Sequence, residues 1–360
     1  MMASRYAICV VGVDLEYART RVLCRSLALT GAKVIRLPLS SQGKGWLQKQ
    51  KQFFRLMTNC RTPCTHVLIS SMNHGLVPSA WFFCHSHRKK LLFDPLISQW
   101  DTIVCDRKLA KAWSVSALRS WIVDYLGFHL PDCVLCDTEE HRRFYTRVFG
   151  LSPRKSVVVP VGAEESLFFP SSTPGTARVS SLGSIQVLYY GGFSPLHGMD
   201  LIVRAASALR EKPFEFTFVG QGQDREMCEQ LARGLGVQKV KWIDQVAYQT
   251  LGSFIRTFDI GLGIFGSTAK VRRVIPNKVY QMIACGLPVL TLDTPAMHEV
   301  FDDGTGVVLV PSRTVTAVAD GLQRLWRADA RKQVAALGLK AFADRASESV
   351  LAGILASALG

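Results

Sequence analysis

The chain has 360 residues, of which 48% are hydrophobic and 20% charged, a composition typical of a globular protein of about two domains. No apolar stretch reaches the ~18 residues of a membrane-spanning helix, and the apolar run Tyr6–Val13 leads directly into Asp14, so we expect a first strand there rather than a signal peptide. The formal net charge is +15, and no acidic residue lies between Glu16 and Asp94 whereas 13 Lys or Arg do. This excess favours an anionic partner, such as phospholipid, nucleic acid or a phosphate-bearing substrate, over a basic face that only maintains solubility.

In the first half of the chain, short apolar and β-branched runs alternate with helical stretches, which predicts a parallel sheet covered by helices. The predicted strands are Tyr6–Val11, Lys33–Leu37, Thr65–Ser70, Lys90–Phe93, Cys133–Cys136 and Ser156–Val159. Helices are predicted between them, for example over Arg19–Thr30 and Thr138–Phe149. We assign residues 1–165 to this N-terminal domain.

A segment rich in Pro, Gly, Ser and Thr follows and predicts a linker over residues 166–184. The strands predicted behind it are Ile185–Tyr190, Phe214–Val219, Lys239–Trp242, Ile260–Ile264, Pro288–Leu292 and Val307–Val310. The predicted helices are Met199–Leu209, Arg225–Gly234, Gln249–Phe258 and Pro276–Cys285. These patterns indicate a second domain over residues 185–340 and a C-terminal helix over residues 341–360 that could cross back to the first domain. Two such domains would place a cleft between the carboxyl ends of their sheets, where ligands of open α/β sheets bind.

Two glycine turns in the second domain suit a phosphate-bearing ligand. The sequence YGGFSPLHG, residues 190–198, lies between a predicted strand and a helix. Gly191 and Gly192 would let backbone N–H groups approach a phosphate, and the following helix adds a positive dipole. Gly220 and Gly222 follow the next strand in the same way. Neither turn has the G-x-G-x-x-G spacing or the Lys-Ser/Thr ending of a P-loop, which argues against dinucleotide oxidoreductases and P-loop phosphotransferases.

A third stretch carries cationic residues near a predicted helix start. Lys278 and Gln281 are three residues apart, so they share one face of the helix that Pro276 introduces. A lysine near a helix N-terminus opposes the helix dipole unless an anion neutralises both. A surface lysine is the alternative. His197, Lys270 and Lys278 are all expected at the same edge of the cleft, and three cationic or proton-donating groups there would fit a diphosphate.

The order and spacing of these stretches resemble the nucleotide-sugar domain of the retaining glycosyltransferases of family 4, which have the GT-B fold. The resemblance covers about residues 156–310 and includes the stretch 159–170, which is similar to the family's crossing between domains. The first half resembles the family only loosely. The resemblance implies an α/β protein of the GT-B class, with two Rossmann-like domains facing each other across a deep cleft, the first binding the acceptor and the second the donor.

The resemblance also implies the reaction and its residues. It implies transfer of a hexose-type sugar from a UDP or GDP sugar to a hydroxyl acceptor (a glycan, a lipid-linked saccharide or another cell-envelope precursor), with retention of configuration and without a metal or other cofactor. The implied catalytic residues are Asp94, Asp101 and His197. The implied donor-binding residues are Gly12, Gly191, Gly192, Gly220, Gly222, Gly266, Lys270, Asn277, Lys278 and Gln281.

The sequence departs from the family at the donor site. Many members of the family have an arginine just after the glycine turn and a lysine a few residues later, and Phe193 and His197 stand near those places here. Lys270 and Lys278 would therefore have to neutralise most of the negative charge of the phosphates. Gln281 takes the place of the second of two glutamates, and it can bond ribose hydroxyls only as a neutral group.

Arg273 stands in the place of the first glutamate, whose role Asn277 or a loop backbone would have to fill. In the first half, Asp94 stands near the place where members of the family often have a histidine, and it could orient the acceptor or the donor sugar. Equally, Asp94 could cap the turn before Pro95. His74 is a weaker candidate.

Two further features concern the compartment. The chain has ten cysteines and no second Cys pair at the spacing of a zinc site, which indicates a reducing, cytoplasmic environment. We interpret four of them as small hydrophobic residues: Cys9, Cys105, Cys133 and Cys136. A zinc site at Cys133-x-x-Cys136 is the alternative. Residues 44–57 mix basic and bulky apolar residues. If helical, this segment presents Leu47, Phe54 and Met57 on one face, which suits attachment to an anionic inner membrane surface, or equally a core-facing helix with basic outer residues.

Three other functions stay open. A GT-B sugar-nucleotide epimerase or hydrolase would use the same donor without an acceptor. A nucleic-acid-binding protein is suggested by charge alone, and the basic stretch lacks a zinc-finger, helix-turn-helix or ribonucleoprotein signature, so we do not expect nucleic acid as a partner. A non-catalytic relative that only binds nucleotide would explain Arg273 and Gln281.

Overall fold

The computed structural model describes residues 6–40, 45–60, 62–171 and 183–360. Most of the predicted linker, residues 172–182, and Lys44 of the basic segment lie outside the described residues. The chain divides into two units, the first formed by Met1–Val161 with Glu348–Gly360 and the second by Gly162–Ser347. Each unit is built on its own parallel sheet.

The strands of the first unit are β1 (Ala7–Gly12), β2 (Lys33–Pro38), β3 (His66–Ile69), β4 (Lys90–Phe93), β5 (Cys133–Cys136) and β6 (Ser156–Val158). They form a parallel sheet in the order β2-β1-β3-β4-β5-β6. Helices cover both faces of such a sheet, which explains the continuous apolar runs of its inner strands. The order changes direction between β1 and β3, so the loops after these two strands leave from the point where open α/β sheets bind ligands.

The helices that precede the second unit are α1 (Ala18–Leu29), α2 (Trp46–Asn59), α3 (Val77–Ser86), α4 (Val115–His129) and α5 (Glu139–Phe149). The side chains of Ser114 and Thr138 accept hydrogen bonds from backbone N–H groups in the first turns of α4 and α5. Gly150 ends α5 with a φ of 74°, a left-handed conformation that glycine adopts without strain. A six-residue π-helical turn, Asp101–Asp106, follows β4.

Helix α2 faces the core of the first unit. It buries Gln50, Phe53 and Met57, and Phe53 and Met57 belong to the hydrophobic cluster beneath β1 and β3. Leu47 is 67% exposed, whereas Phe53 and Met57 are buried. Helix α2 is therefore the core-facing helix that the sequence offered as the alternative to membrane attachment, and its buried side is centred on Phe53 and Met57 and not on Leu47.

The strands of the second unit are β7 (Ile185–Tyr190), β8 (Phe214–Val219), β9 (Val240–Ile243), β10 (Ile260–Leu262), β11 (Val289–Leu292) and β12 (Val307–Val310). They form a parallel sheet in the order β12-β11-β10-β7-β8-β9. The helices of this unit are α6 (Met199–Ala208), α7 (Arg225–Gly234), α8 (Tyr248–Ile255), α9 (Asn277–Ala284), α10 (Val315–Arg324) and α11 (Ala328–Arg345). Its largest core cluster joins the inner faces of β7, β8 and β10 to α6 and α10.

The last helix, α12 (Glu348–Leu359), belongs to the first unit. Its Leu351, Leu355 and Leu359 are buried in the same cluster as Val22 of α1. An ion pair between Arg25 Nε and Glu348 Oε1 joins the two helices at the surface. Only two residues, 346 and 347, separate the end of α11 at Arg345 from the start of α12 in the first unit.

The predicted fold class is confirmed. Both units are α/β with parallel sheets, and every strand predicted from the sequence overlaps a strand of the structure. The Cys133-x-x-Cys136 pair lies in β5, as the strand interpretation predicted. Cys105 is exposed, so its interpretation as a packed hydrophobic residue is wrong; the π-helical turn that carries it bulges out of the regular helical path.

Candidate functional site

In the second unit, the predicted turns meet at the point where the strand order changes direction, between β7 and β10. Phe265 N–H donates to His197 O at 3.0 Å, and Gly266 N–H donates to Leu196 O at 3.1 Å. A Cβ on Gly266 would lie 2.3 Å from that same Leu196 oxygen. Gly266 therefore lets the loop after β10 lie directly against the turn after β7.

The turns after β7 and β8 are joined backbone to backbone. Phe193 N–H donates to Gln221 O at 2.9 Å. A Cβ on Gly220 would lie 2.0 Å from Gly191 O, and one on Gly222 would lie 2.3 Å from Phe193 O. Gly220 and Gly222 also have φ values of +130° and +154°. Their first role is thus close packing of the two turns, which builds one continuous backbone surface.

Lys278 is the most unusual charged group of this site. It lies in the first turn of α9 and is only 4% exposed. Its Nζ lies 3.7 Å from the centroid of the Tyr189 ring and 3.7 Å from the position a Cβ would take on Gly191. No hydrogen-bond acceptor in the described structure reaches this ammonium, and burial lowers the pKa of Lys278 well below the usual range. A buried donor without an acceptor, placed beside a glycine turn, is arranged for an anion that arrives from outside.

Gln281, one helical turn after Lys278, is also buried. Tyr190 OH donates to Gln281 Oε1 at 2.8 Å and lies 3.3 Å from Lys278 O. The tyrosine uses one lone pair of the amide oxygen, so Gln281 keeps one acceptor position and the two N–H donors of its NH2 group. Asn277, the first residue of α9, is half-buried.

His197 and Lys270 lie on the two segments that meet at the switch point. His197 Nδ1 lies 3.0 Å from Ser194 Oγ, and its ring stands edge-on to the Tyr189 ring at 6.0 Å. Tyr189 in turn donates from its OH to Gly192 O at 2.6 Å. Lys270 is buried in the 3₁₀ turn Ala269–Arg273.

In the first unit, Asp94 is fully buried at the end of β4. Its Oδ1 accepts from Arg19 Nε at 2.8 Å, and its Oδ2 accepts from the Ser71 hydroxyl. Arg19 Nη1 also donates to Val159 O and Pro160 O. Both carboxylate oxygens therefore accept hydrogen bonds from the protein, and Arg19 connects Asp94 to the backbone that follows β6.

Gly12 and Asp101 have structural partners in the same unit. A Cβ on Gly12 would lie 1.9 Å from Ser70 Oγ and 2.8 Å from Asn73 Nδ2, so Gly12 is required for the close approach of the loop after β3. Asp101 is 1% exposed and begins the π-helical turn, where its N–H donates to Ser98 Oγ.

Sequence reasoning did not single out Arg225, which supports the turn after β8 and pairs with Glu229. Its guanidinium stacks over the rings of Phe193 and Trp242, at 5.1 and 4.7 Å from their centroids, and Nη1 donates to Gly220 O at 2.6 Å. The signal was a cation at the first position of a helix directly after a glycine turn, where the helix dipole disfavours it. The cation is stable there because it binds the turn carbonyl.

Among the described residues, no group of three or more His, Cys, Asp or Glu side chains has a geometry that could hold a metal ion. None of the helices in the described ranges is both long enough and apolar enough to cross a bilayer.

Comparison with known proteins relates this site to a family. Residues 184–328 match the family model described as "Glycosyl transferases group 1". The chain is 25% identical over 254 residues to D-inositol 3-phosphate glycosyltransferase of Geodermatophilus obscurus, covering 63% of this chain and 53% of that protein. It is 29% identical over 299 residues to phosphatidyl-myo-inositol mannosyltransferase of Mycobacterium leprae, covering 78% and 73%. The chain spans about half the length of most of the curated relatives it matches.

Among solved structures, Anabaena Alr3699/HepE in complex with UDP-glucose has a TM-score of 0.75 and 12% identity, covering 99% of both chains. At this identity the likeness shows a shared fold.

Proposed function

We propose that this protein transfers a hexose-type sugar from a nucleoside diphosphate sugar to a hydroxyl acceptor with retention of configuration. The match of residues 184–328 to the group 1 glycosyltransferase model and the GT-B fold of the chain support this proposal. The donor diphosphate binds in the second unit, at the turns after β7 and β8. The inositol-containing names of two relatives and the UDP-glucose complex of HepE support an acceptor rich in hydroxyls and a UDP sugar as the first donor to test.

The observation that carries this proposal is the buried ammonium of Lys278 beside the Gly191 turn. This group is buried, and no hydrogen-bond acceptor of the described residues reaches it. A diphosphate on the turn supplies the missing acceptors, and it also restores the charged form that burial disfavours. A surface lysine, the alternative reading of the sequence, is exposed and would not have this environment.

The same residues suit the chemistry of transfer. Negative charge grows on the diphosphate as the glycosidic bond breaks, and fixed donors stabilise that charge most in a site that excludes water. Lys278 and the backbone of Gly192 would supply such donors, and the His197 ring lies next to Gly192, 3.8 Å from the position a Cβ would take there. We propose that these groups neutralise the leaving diphosphate without a divalent metal.

We further propose that the NH2 group of Gln281 donates to a ribose oxygen of the donor. Tyr190 keeps the amide oriented because its hydroxyl holds Oε1. A glutamate in this place could only accept hydrogen bonds from ribose, whereas the neutral amide can also donate one, and it lowers the negative charge of the site.

A surface of the first unit suits an acceptor held at an anionic membrane. Every carboxylate between Glu16 and Asp132 is buried: Asp94, Asp101, Asp106 and Asp124. Residues 107–125, which we name the 107–125 surface, carry exposed cations at Arg107, Lys108, Lys111 and Arg119. Its exposed large apolar side chains are Leu109, Trp113, Val115, Leu118, Ile122 and Tyr125.

Trp113 is 100% exposed, a position at which an indole gains most by entering the interface of a bilayer. Basic residues near an anionic surface add about 1 kcal/mol each. We therefore propose that the 107–125 surface, and not α2, holds the protein at an anionic leaflet where a lipid-linked acceptor is presented.

The donor proposal is tested by thermal unfolding with UDP, GDP, ADP and TDP, each alone and as its common sugar conjugates, in buffer containing EDTA. Binding to the folded state raises the midpoint by mass action, so a selective rise with one nucleoside diphosphate is the expected result. No rise with any of them would refute the donor site. Loss of sugar from the conjugate without any acceptor, or its conversion to an epimer, would favour a hydrolase or epimerase.

The membrane proposal is tested by co-sedimentation with vesicles of phosphatidylcholine with and without phosphatidylglycerol. We expect binding only to the anionic vesicles, and a loss of at least about tenfold for Trp113→Ala combined with Leu118→Ala. Leu29→Ala, at an exposed leucine of α1, is the matched control and should bind as the parent chain does. Equal binding by the double variant, or preferential binding to RNA at the same salt, would overturn the proposal.

A further inference from the structure

A cavity of about 500 Å³ opens in the first unit, between α4 and the first turns of α2 and α3. Pockets for small ligands have volumes of about 300–1,000 Å³. The apolar part of the wall is formed by Pro78, Ile103, Val123 and Leu126. Trp46 also lines the cavity; its indole is 53% exposed and is held by a hydrogen bond from Nε1 to Gly75 O at 3.2 Å. Aliphatic walls with one fixed indole suit the apolar faces of a carbon ring.

The deep end of the cavity is polar. His74 lines it and is completely buried, and its Nε2 atom lies 3.4 Å from Asp124 Oδ1. Neither ring nitrogen forms a hydrogen bond of normal geometry with a described residue. Burial lowers the pKa of His74, although Asp124 and the backbone of Ile97 oppose this shift, so the imidazole is neutral at neutral pH and offers one donor and one acceptor. A hydroxyl group of a ligand would supply the partner that this buried ring lacks.

Asp124 makes the deep end unfavourable for an anion. It is fully buried, and it accepts hydrogen bonds from Ser98 Oγ at 2.6 Å, from the N–H of Gln99 at 3.0 Å and from the N–H of Trp100 at 2.9 Å. Burial raises the pKa of Asp124, whereas these three donors favour its charged form. A second negative group beside a buried carboxylate is repelled. The part of the ligand that enters the deep end should therefore be uncharged.

Arg119 supplies a positive charge at the mouth of the cavity. Its side chain is exposed and forms no ion pair within the described part of the chain. The lining that the described residues form contains no acidic side chain. A guanidinium group binds phosphate oxygens through two parallel N–H donors. The charges thus define an orientation, in which hydroxyl groups point toward His74 and a phosphate stays at the mouth beside Arg119.

The mouth of the cavity adjoins the 107–125 surface. The cavity lies along one face of α4, and the exposed apolar residues of that surface lie along the neighbouring face. At 3.6 residues per turn, Arg119 stands between Val123 of the first face and Ile122 of the second. A phosphate bound by Arg119 would therefore lie next to the surface that we propose to face the membrane.

We propose that this cavity binds a hydroxylated ring, a sugar or a cyclic polyol, whose phosphate remains at the mouth beside Arg119. The inference rests on the proposed function in one respect: it takes this ligand as the acceptor and so names the chemical class of the acceptor. The same chemistry occurs in a soluble ring phosphate and in the head group of a lipid. The cavity lies in the first unit and the nucleotide turns lie in the second, so the two binding reactions can be measured separately.

The test uses the full chain without any nucleotide. Titration calorimetry compares glucose 1-phosphate and myo-inositol 1-phosphate with the two unphosphorylated rings and with glycerol 3-phosphate, which has the phosphate but no ring. Co-sedimentation compares vesicles that contain phosphatidylinositol with vesicles that contain the same fraction of phosphatidylglycerol. Tighter binding of the ring phosphates, by about tenfold or more, assigns a soluble ligand. Preference for phosphatidylinositol without binding of the soluble compounds assigns a lipid head group. If neither is found, the proposal is wrong.

Two variants connect binding to the cavity. His74→Phe keeps a ring beside Phe93, whose centroid lies 4.9 Å from that of His74, and removes two buried nitrogens without partners; it should fold and should bind the preferred ligand about tenfold more weakly. Arg119→Met should weaken binding of the phosphorylated ligand by about tenfold or more and leave that of the unphosphorylated ring unchanged. A residue that only supported the fold would not distinguish the two ligands.

The matched controls make the same substitutions at exposed residues outside the cavity, His85→Phe and Arg55→Met. Both should bind the ligand as the parent chain does. Unchanged affinity in His74→Phe, or equal weakening by Arg119→Met and Arg55→Met, would overturn the proposal. Because no nucleotide is present, these outcomes leave the donor proposal untouched, and a failure of nucleoside diphosphates to raise the unfolding midpoint leaves binding in the cavity untouched.

Discussion

Replacement of Lys278 by methionine separates binding of the diphosphate from stability of the free protein. The two side chains have similar length and volume, so methionine fills the space against the Tyr189 ring. Lys278 Nζ has no acceptor in the described structure, so the substitution leaves no orphaned acceptor behind. The contact from Tyr190 OH to the backbone oxygen of residue 278 also remains.

Two opposite effects are expected. A hydrogen bond to a charged group contributes about 1.5–3 kcal/mol, so loss of the ammonium should weaken binding of a nucleoside diphosphate by about 10- to 150-fold. Because burial lowers the pKa of Lys278 in the folded chain, the unfolded chain binds its proton more tightly. At neutral pH the lysine therefore disfavours folding, and the methionine variant should unfold at a higher temperature than the parent chain without ligand.

Thermal unfolding and titration calorimetry with the best nucleoside diphosphate measure both effects on the same samples. Lys241→Met is the control, since Lys241 is an exposed lysine of the same unit and its removal changes the net charge equally. It should alter neither affinity nor midpoint appreciably. A Lys278→Met variant that binds as tightly as the parent chain, or that is less stable than it without ligand, would refute our account of the site.

The remaining predictions concern protons and packing. Binding of a nucleoside diphosphate should be accompanied by uptake of a proton at alkaline pH, because the anion raises the lowered pKa of Lys278. The affinity should therefore fall as the pH rises from the pKa of Lys278 in the free protein to its pKa in the complex. Calorimetry in buffers of different ionisation enthalpy measures the uptake. Arg19→Met should lower the free energy of unfolding by about 3–5 kcal/mol, since it leaves Asp94 buried without its cation; Arg19→Met combined with Asp94→Leu should recover part of this in urea unfolding. Gly220→Ala should abolish the nucleotide-induced thermal shift, because its Cβ meets a carbonyl oxygen of the neighbouring turn at 2.0 Å, whereas Gly234→Ala, which meets no atom within 4 Å, should preserve it.

The strands and the glycine turns could be predicted because their signals are local. A parallel strand that is buried on both faces appears in the sequence as a run of apolar residues. The close turns after β7 and β8 require glycine, and a glycine is visible in the sequence. The side of α2 that packs on the core could not be predicted, because Leu47 and Phe53 both satisfy a helical apolar pattern. Only the shape of the sheet beneath the helix decides between them.

The candidate site shows the same division. Lys278 and Gln281 could be placed on one helix face from their spacing alone. Their contacts with Tyr189 and Tyr190, which lie almost 90 positions earlier, depend on the strand order. The hydrogen bond that Asp94 accepts likewise comes from Arg19, which lies 75 residues earlier in the chain. Spacing within one element is visible in a sequence, whereas the partner across the sheet is not.

Positive charge serves two different purposes in this chain, and salt should distinguish them. The cations of the 107–125 surface are exposed, so salt at physiological strength already screens them beyond about 8 Å. Lys278 is buried, and the water and ions that screen surface charges do not surround it. We therefore expect that an increase from 0.05 to about 0.5 M NaCl releases the protein from anionic vesicles but weakens nucleoside diphosphate binding far less. Equal salt sensitivity of the two reactions would mean that the diphosphate is held by surface cations, and the assignment of Lys278 as its principal partner would then be wrong.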